Sequence, residues 1–229
     1  MTTIQLLALL PVLALSTIHC TEAQETDTAG KEKKLAAAKG KSIKLFDGKT
    51  FDGWKTVTPA NIKYWSIENG VLTADNDGKK IPVNTYLATE KSYKNFIFKC
   101  KFRLSGDHES GLINAGIQYR STIKGHKIIG YQADIGKGYW GNIWDEHRRG
   151  LLAKGNTAEV FKSFKEDDWG TYTIACKDNR HKLYINGILV AEYTEKDTNI
   201  SNRGVFALQV HSGGAAKAEY KNVTIQELP

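Results

Sequence analysis

The sequence predicts an all-β chain folded as a two-sheet antiparallel β-sandwich, and three observations carry that expectation. From residue 43 to the end, apolar and polar residues alternate with a period of two in many short runs, as half-buried strands do. Turn dipeptides separate the runs: Asp47-Gly48, Asp52-Gly53, Asn69-Gly70 and Asn186-Gly187. Asn-Gly in particular supplies the two φ > 0 residues of a tight hairpin. No segment after residue 43 sustains a 3.6-residue period, and 21 Gly, 4 Pro and 10% aromatics suit strands joined by tight turns.

Taken in order, Ser42–Phe46 opens the domain, and Trp65–Glu68 with Val71–Ala74 forms a hairpin about Asn69-Gly70. Tyr86–Thr89, Asn95–Leu104 and Asn114–Ser121 follow as strands. Tyr131–Ile135, Trp140–Asp145, Trp169–Asp178 and Lys182–Ile185 continue the series. Asn186-Gly187 turns the chain into Ile188–Tyr193, and Gly204–His211 and Ala218–Leu228 close it. Only Thr157–Lys165 has room for a helical turn or two. Eleven or more strands in one run, without a repeat or a second linker, fit one sandwich.

The 229 residues carry a net charge of +7, which invites a polyanion partner. The distribution argues against nucleic acid. Residues 24–44 alone hold six Lys against three acids, leaving 26 Lys+Arg and 21 Asp+Glu for 45–229. Those basic residues scatter along strands, and Arg148-Arg149 is the one adjacent Arg pair.

Residues 4–18 are uncharged and apolar apart from Gln5, Ser16 and Thr17, too short a run for a membrane span. They read as the apolar region of a secretory signal over 1–23, cleaved after Ala23, although no Lys or Arg precedes the run. Export to the periplasm or the extracellular space follows, with no membrane span in the mature chain. Cys20 offers a lipidation site, but His19 stands where a small residue is needed. Residues 24–42 read as a polar linker with too little apolar surface to order itself. Cys100 and Cys176 both fall on inward positions and read as buried free thiols, although export permits a disulfide.

The functional signal is the polarity of four strands. Alternation places Asn114, Gln118 and Arg120 on one side of a strand, and Gln132 and Asp134 on one side of the next. Asn142, Trp144 and Glu146 share a side, as do Ala207, Gln209 and His211. Solvated faces favour Lys, Glu and Thr, whereas these positions hold short amides, carboxylates, an imidazole and aromatics. Amides and carboxylates bond sugar hydroxyls, and Trp144 or Trp140 can stack on the apolar face of a ring. Asp134, Glu146 and His211 also present hard oxygen and nitrogen donors for a divalent cation. Other chemistries lack their motifs: there is no E-x-D-x-x-E, G-x-S-x-G, P-loop or H-E-x-x-H.

The same stretches resemble the 3-keto-disaccharide hydrolase domain family. Leu45-Phe46-Asp47-Gly48, continuing to Gly53-Trp54, is similar to its opening; Asn114–Arg120, Gly130–Asp134 and Leu208–His211 are similar to three of its strands. Tyr184–Gly187 and Tyr220–Ile225 match its late hairpin and closing strand, so the resemblance spans about 43–228. Ala115 departs from the usual Ser, and Ala133 sits differently between Gln132 and Asp134.

The resemblance implies a concanavalin A-like sandwich that cleaves 3-keto-glycosides, in some members with a divalent cation. A C3 ketone acidifies the C2 proton, so a base can remove it and expel the C1 substituent, after which water adds. On that implication Asp134 or Glu146 is the base and the other the acid, His211 shares proton transfer, and Arg120 stabilises the enolate or orients a carboxylate. Asn114, Gln118, Gln132, Gln209 and Trp144 would position the sugar, with Trp140 and Arg148 as further binding candidates. A sugar 3-dehydrogenase would be the functional partner that makes the ketone. The competing readings are a non-catalytic carbohydrate-binding module and a structural envelope protein.

Overall fold

Fifteen strands account for about half of the described residues in a computed structural model, which describes residues 40–162 and 164–229. The signal segment, Cys20 and nearly all of the linker lie outside the described residues. Among the described residues no helix is long and apolar enough to cross a membrane.

The strands are β1 (Ile43–Lys44), β2 (Trp54–Thr56), β3 (Trp65–Glu68), β4 (Val71–Ala74) and β5 (Thr85–Thr89), then β6 (Phe96–Asp107), β7 (Asn114–Lys124), β8 (Lys127–Gly136), β9 (Ile143–Glu146) and β10 (Gly150–Ala153). After the single helical turn α1 (Thr157–Val160) come β11 (Gly170–Lys177), β12 (Arg180–Ile185), β13 (Ile188–Thr194), β14 (Val205–Val210) and β15 (Ala215–Glu227). One antiparallel sheet runs β13-β12-β11-β6-β15-β4-β3, with β1 also paired to β15; the other runs β10-β9-β8-β7-β14-β5-β2. The two-sheet sandwich expected from the alternation is thus present. Asn69-Gly70 and Asn186-Gly187 turn β3 into β4 and β12 into β13 with all four φ angles positive, the left-handed geometry a two-residue hairpin demands. The two strands that sequence did not suggest, β2 and β10, are three and four residues long.

The core lies between the sheets. Phe96, Phe98, Cys100 and Phe102 of β6 and Tyr172, Ile174 and Cys176 of β11 are all 1% exposed or less. Phe206 of β14 meets them from the other sheet, stacked on Phe98 and edge-on to Phe96, each at 4.6 Å between centroids. Both cysteines are free. Register explains why: Cys100 pairs with Tyr172, four residues from Cys176, or about 13 Å along the strand, beyond the span of a disulfide.

One irregularity decides what the other sheet presents. β7 pairs β8 in step through Tyr119↔Tyr131, then resumes at Thr122↔Ile129. Arg120, at φ 48°, occupies the bulge. Gly204 makes room for it, because a Cβ there would lie 2.4 Å from the Arg120 carbonyl carbon. The bulge breaks the alternation on which Arg120 was grouped with Asn114 and Gln118.

Candidate functional site

The outer face of the seven-stranded sheet gathers most of the polar positions singled out by alternation. Ala115, Ile117, Tyr119, Tyr131, Ala133, Leu208 and Val210 point into the core, so Asn114, Gln118, Gln132, Asp134 and Gln209 point away from it. Register lays them in rows. Asp134 is opposite Gly116, Gly116 opposite Gln209, and Gln209 opposite Tyr86 of β5. In the next row Trp144 is opposite Gln132, Gln132 opposite Gln118, and Gln118 opposite Ala207. The His211 amide donates to the Asn114 carbonyl at 2.9 Å, which sets those two side by side at one end. The floor is recessed, with Gln118 and Gln209 fully buried; Trp144, Glu146 and His211 are partly exposed.

A one-way chain of hydrogen bonds crosses this floor. Ser121 Oγ donates to Gln118 Oε1 at 3.1 Å, Gln118 Nε2 to Gln132 Oε1 at 2.5 Å, and Gln132 Nε2 to Asp134 Oδ1 at 2.6 Å. Each donor polarises the next, and the chain ends on the carboxylate. Gln132 lies across β7 because residue 116 is glycine: a Cβ there would fall 2.6 Å from its amide carbon. Burial pushes the Asp134 carboxyl up to about 7; the Gln132 hydrogen bond pulls against burial, and the charge of Glu146 adds to it. A carboxyl in that range takes up and releases a proton near neutral pH.

Tyr86 and Asn84 complete the face. Asn84 Oδ1 accepts from the Ser212 amide and hydroxyl, both at 2.9 Å, which turns Asn84 Nδ2 towards the Tyr86 oxygen at 3.4 Å. Gln209 Nε2 donates to the same oxygen at 3.3 Å. With two donors on its lone pairs, the Tyr86 hydroxyl is free to aim its own proton onto the face. Burial and the Glu146 charge hold the phenol at about 12, so it acts as a donor. Gln209 Oε1 is the one buried side-chain polar atom without a partner among the described residues, and such an atom costs stability until something donates to it. Sequence reasoning missed Tyr86 because a tyrosine in the run Tyr86–Thr89 reads as core, and its pairing with Gln209 is set by register between distant strands.

Three expected residues stand elsewhere. Arg120 turns inward at the bulge, where Nε and Nη2 donate to the Lys94 carbonyl at 2.9 and 2.7 Å; it does not face Asp134. Arg148 is drawn to Asp145, with Nε 2.8–2.9 Å from both carboxylate oxygens, and its guanidinium covers the Tyr131 ring at 5.2 Å. Tyr131 and Asp145 belong to the inward parity, so Arg148 leaves the sugar-facing set. Trp140 precedes β9 in a turn and is 3% exposed, packed against Phe102, Phe161 and Phe164 with Nε1 on Glu166. Its ring has no open face for stacking. Asn142, grouped with Trp144 by alternation, accepts the Gly155 amide at 2.9 Å.

The donors present do not fit a resident divalent cation. Among the described residues no three His, Cys, Asp or Glu side chains gather as a metal-binding group. Asp134 Oδ1 already accepts from an amide, and His211 Nδ1 lies 2.7 Å from the Ser212 carbonyl, which takes its proton and leaves only Nε2 as an acceptor.

Solved structures share this architecture. A putative glycosyl hydrolase from Parabacteroides distasonis is 21% identical, with a TM-score of 0.61 over 86% of this chain and 97% of that one. The carbohydrate-binding module CBM66 from Bacillus subtilis is 17% identical, with a TM-score of 0.58 over 76% and 96%. The β-glucanase of Bacillus licheniformis is 12% identical, with a TM-score of 0.54 over 83% and 100%. At such identities the likeness establishes the jelly-roll fold of glucanases and lectins. No functionally curated protein matches the chain. The family model of the 3-keto-alpha-glucoside-1,2-lyase-like domain, by contrast, matches residues 41–226. That span takes in both sheets and every row of the polar face, and the chain belongs to this family.

Proposed function

We propose that the protein cleaves the glycosidic bond of a 3-keto-glycoside by removing the C2 proton, eliminating the C1 substituent and adding water. The observation that carries this reading is Asp134: a recessed carboxyl raised to about 7, at the end of the amide chain and within the field of Glu146. Asp134 takes the C2 proton. The C2–H electron pair becomes the C1=C2 double bond as the C1–O bond breaks, and the departing oxygen takes the proton that Asp134 has gained, with His211 and Glu146 beside it in the transfer. Negative charge building on the C3 oxygen suits the donor that Asn84 and Gln209 orient at Tyr86. Trp144 stacks on the ring, and Asn114, Gln118 and the unpaired Gln209 Oε1 meet hydroxyls.

The ketone must come from an oxidation at C3, so a sugar 3-dehydrogenase is the functional partner, and the apolar N-terminal run supports an exported enzyme. The test is incubation with a 3-keto-glucoside followed by NMR of the sugar. Release of the C1 alcohol, abolished in Asp134→Asn while sugar binding is retained, is the expected result. Sugar binding without turnover of any 3-keto-glycoside by the intact protein would instead establish a binding module.

A further inference from the structure

The proposed reaction makes no use of Arg120, yet this is a buried cation without a carboxylate hydrogen-bonded to it among the described residues. The residue is 3% exposed. Its nitrogens reach the Lys94 carbonyl, Asn95 Oδ1 at 3.4 Å and, through Nη1, His181 Nε2 at 3.4 Å. All of these partners are neutral, and among the described residues no carboxylate forms an ion pair with it. Charges taken out of water are ordinarily paired, because neutral dipoles recover only part of the lost hydration.

The acid that lines the same space is already committed. Glu195 accepts from Arg149 Nη1 and Nη2 at 3.1 and 2.6 Å, from the Tyr131 hydroxyl at 2.5 Å, and from the Lys196 and Asp197 amides at 3.0 and 2.9 Å. Next to Arg120 lies a cavity of about 450 Å³, bordered by His181, Asn179, Lys196, Thr198 and Asn202. That volume falls within the range of small-molecule sites. The lining sets Arg120 and Lys196 against Glu195 and Asp197, with amides, the Thr198 and Ser201 hydroxyls, Tyr131 and Ile200 around them, and Arg149 already meets the Glu195 charge.

We propose that this cavity binds a small hydroxylated organic anion of the uronic acid class, its carboxylate on Arg120 and Lys196 and its hydroxyls on Asn179, Thr198 and Asn202. A carboxylate supplies the negative charge the buried guanidinium lacks, and amides bond sugar hydroxyls in pairs. The site is distinct from the Asp134 face, because the bulge turns Arg120 to the core side of the sheet. It stands whether or not the protein acts on 3-keto-glycosides. His181 offers a reporter: burial and the Arg120 charge hold its imidazole down at about 3, and an anion on Arg120 would relieve the second cause.

The test is an NMR titration of the full chain with glucuronate, glucose, acetate and inorganic phosphate, read at the Arg120 Nε–H and the His181 ring. Glucuronate is expected to shift both saturably, glucose to shift neither, and acetate and phosphate to bind more weakly. Arg120→Gln should abolish the glucuronate response. Lys196→Ala, an exposed position that leaves folding intact, should weaken it about two- to fivefold, as loss of one exposed ionic contact does. No response to any anion would overturn the proposal, as would phosphate or acetate binding as tightly as glucuronate, which would mark an adventitious ion only.

Discussion

The Gln132 side chain lies over the bare backbone of Gly116, close enough that a Cβ on residue 116 would fall 2.6 Å from its amide carbon. That contact lets one amide span two strands and bond both Gln118 and Asp134. Gly116→Ala should therefore displace Gln132 and cost about 1–3 kcal/mol through overpacking. It should also remove the hydrogen bond that holds the Asp134 carboxyl down against burial. Hydrogen bonds to charged groups contribute about 1.5–3 kcal/mol, so the pH midpoint for activity should rise by one to two units above about 7. The check is a pH–rate profile of Gly116→Ala and Gln132→Leu beside the parent.

Asp134 carries a stability cost that grows as the pH rises. Its folded value of about 7 exceeds the ordinary 3.8, so the native state holds a proton that the unfolded chain releases. Stability conferred by the neutral form is complete below 3.8 and is lost as pH rises through 7. Asp134→Asn should match the parent in acid and exceed it at pH 8 by on the order of 4 kcal/mol, at about 1.36 per unit. Urea unfolding at several pH values reads the difference. Equal stability at pH 8 would mean the carboxyl is not held up.

His181 should act in the opposite direction. Burial, with the Arg120 charge second, lowers its imidazole from 6.5 to about 3. Its contribution is complete above 6.5 and is lost as pH falls through 3. Thermal melting of the parent should decline across that window. His181→Gln, which retains an acceptor for Arg120, should flatten that part of the decline; an unchanged slope would exclude His181 as its source.

Two tryptophans four residues apart should separate binding from stability. Trp144 is partly exposed on the polar face, so Trp144→Ala should weaken sugar affinity about tenfold with little change in melting temperature. Trp140 is buried among three phenylalanines, so Trp140→Ala should cost about 3–5 kcal/mol. Calorimetry of sugar binding and of unfolding on the same two variants provides both readings.

How far the sequence spoke for the structure depended on whether alternation ran unbroken. Where it did, as from Asn114 to Gln118 and from Gln132 to Asp134, parity alone assigned the face, and the Asn-Gly pairs assigned the hairpins. Arg120 escaped because a bulge inserts one residue, and the glycine that permits it, Gly204, sits on another strand. Trp140 escaped because the turn Tyr139–Asn142 imitates strand alternation until β9 begins at Ile143. Asn84 and Tyr86 were hidden for a different reason: their meaning lies in partners more than a hundred residues away, Ser212 and Gln209. Local pattern carries no record of such pairings.

The bulge in β7 makes that strand a junction with two clients. Before Tyr119 its alternate side chains serve the amide floor; at Arg120 the same strand hands its next polar residue to the interior. Deleting Arg120 would restore uninterrupted pairing and leave Thr122 opposite Ile129, so the faces of everything beyond it would stand. The two polar regions are therefore separable in length as well as in side chain: losing the inserted residue empties the inner region of its cation and leaves Ser121 beside Gln118 on the floor.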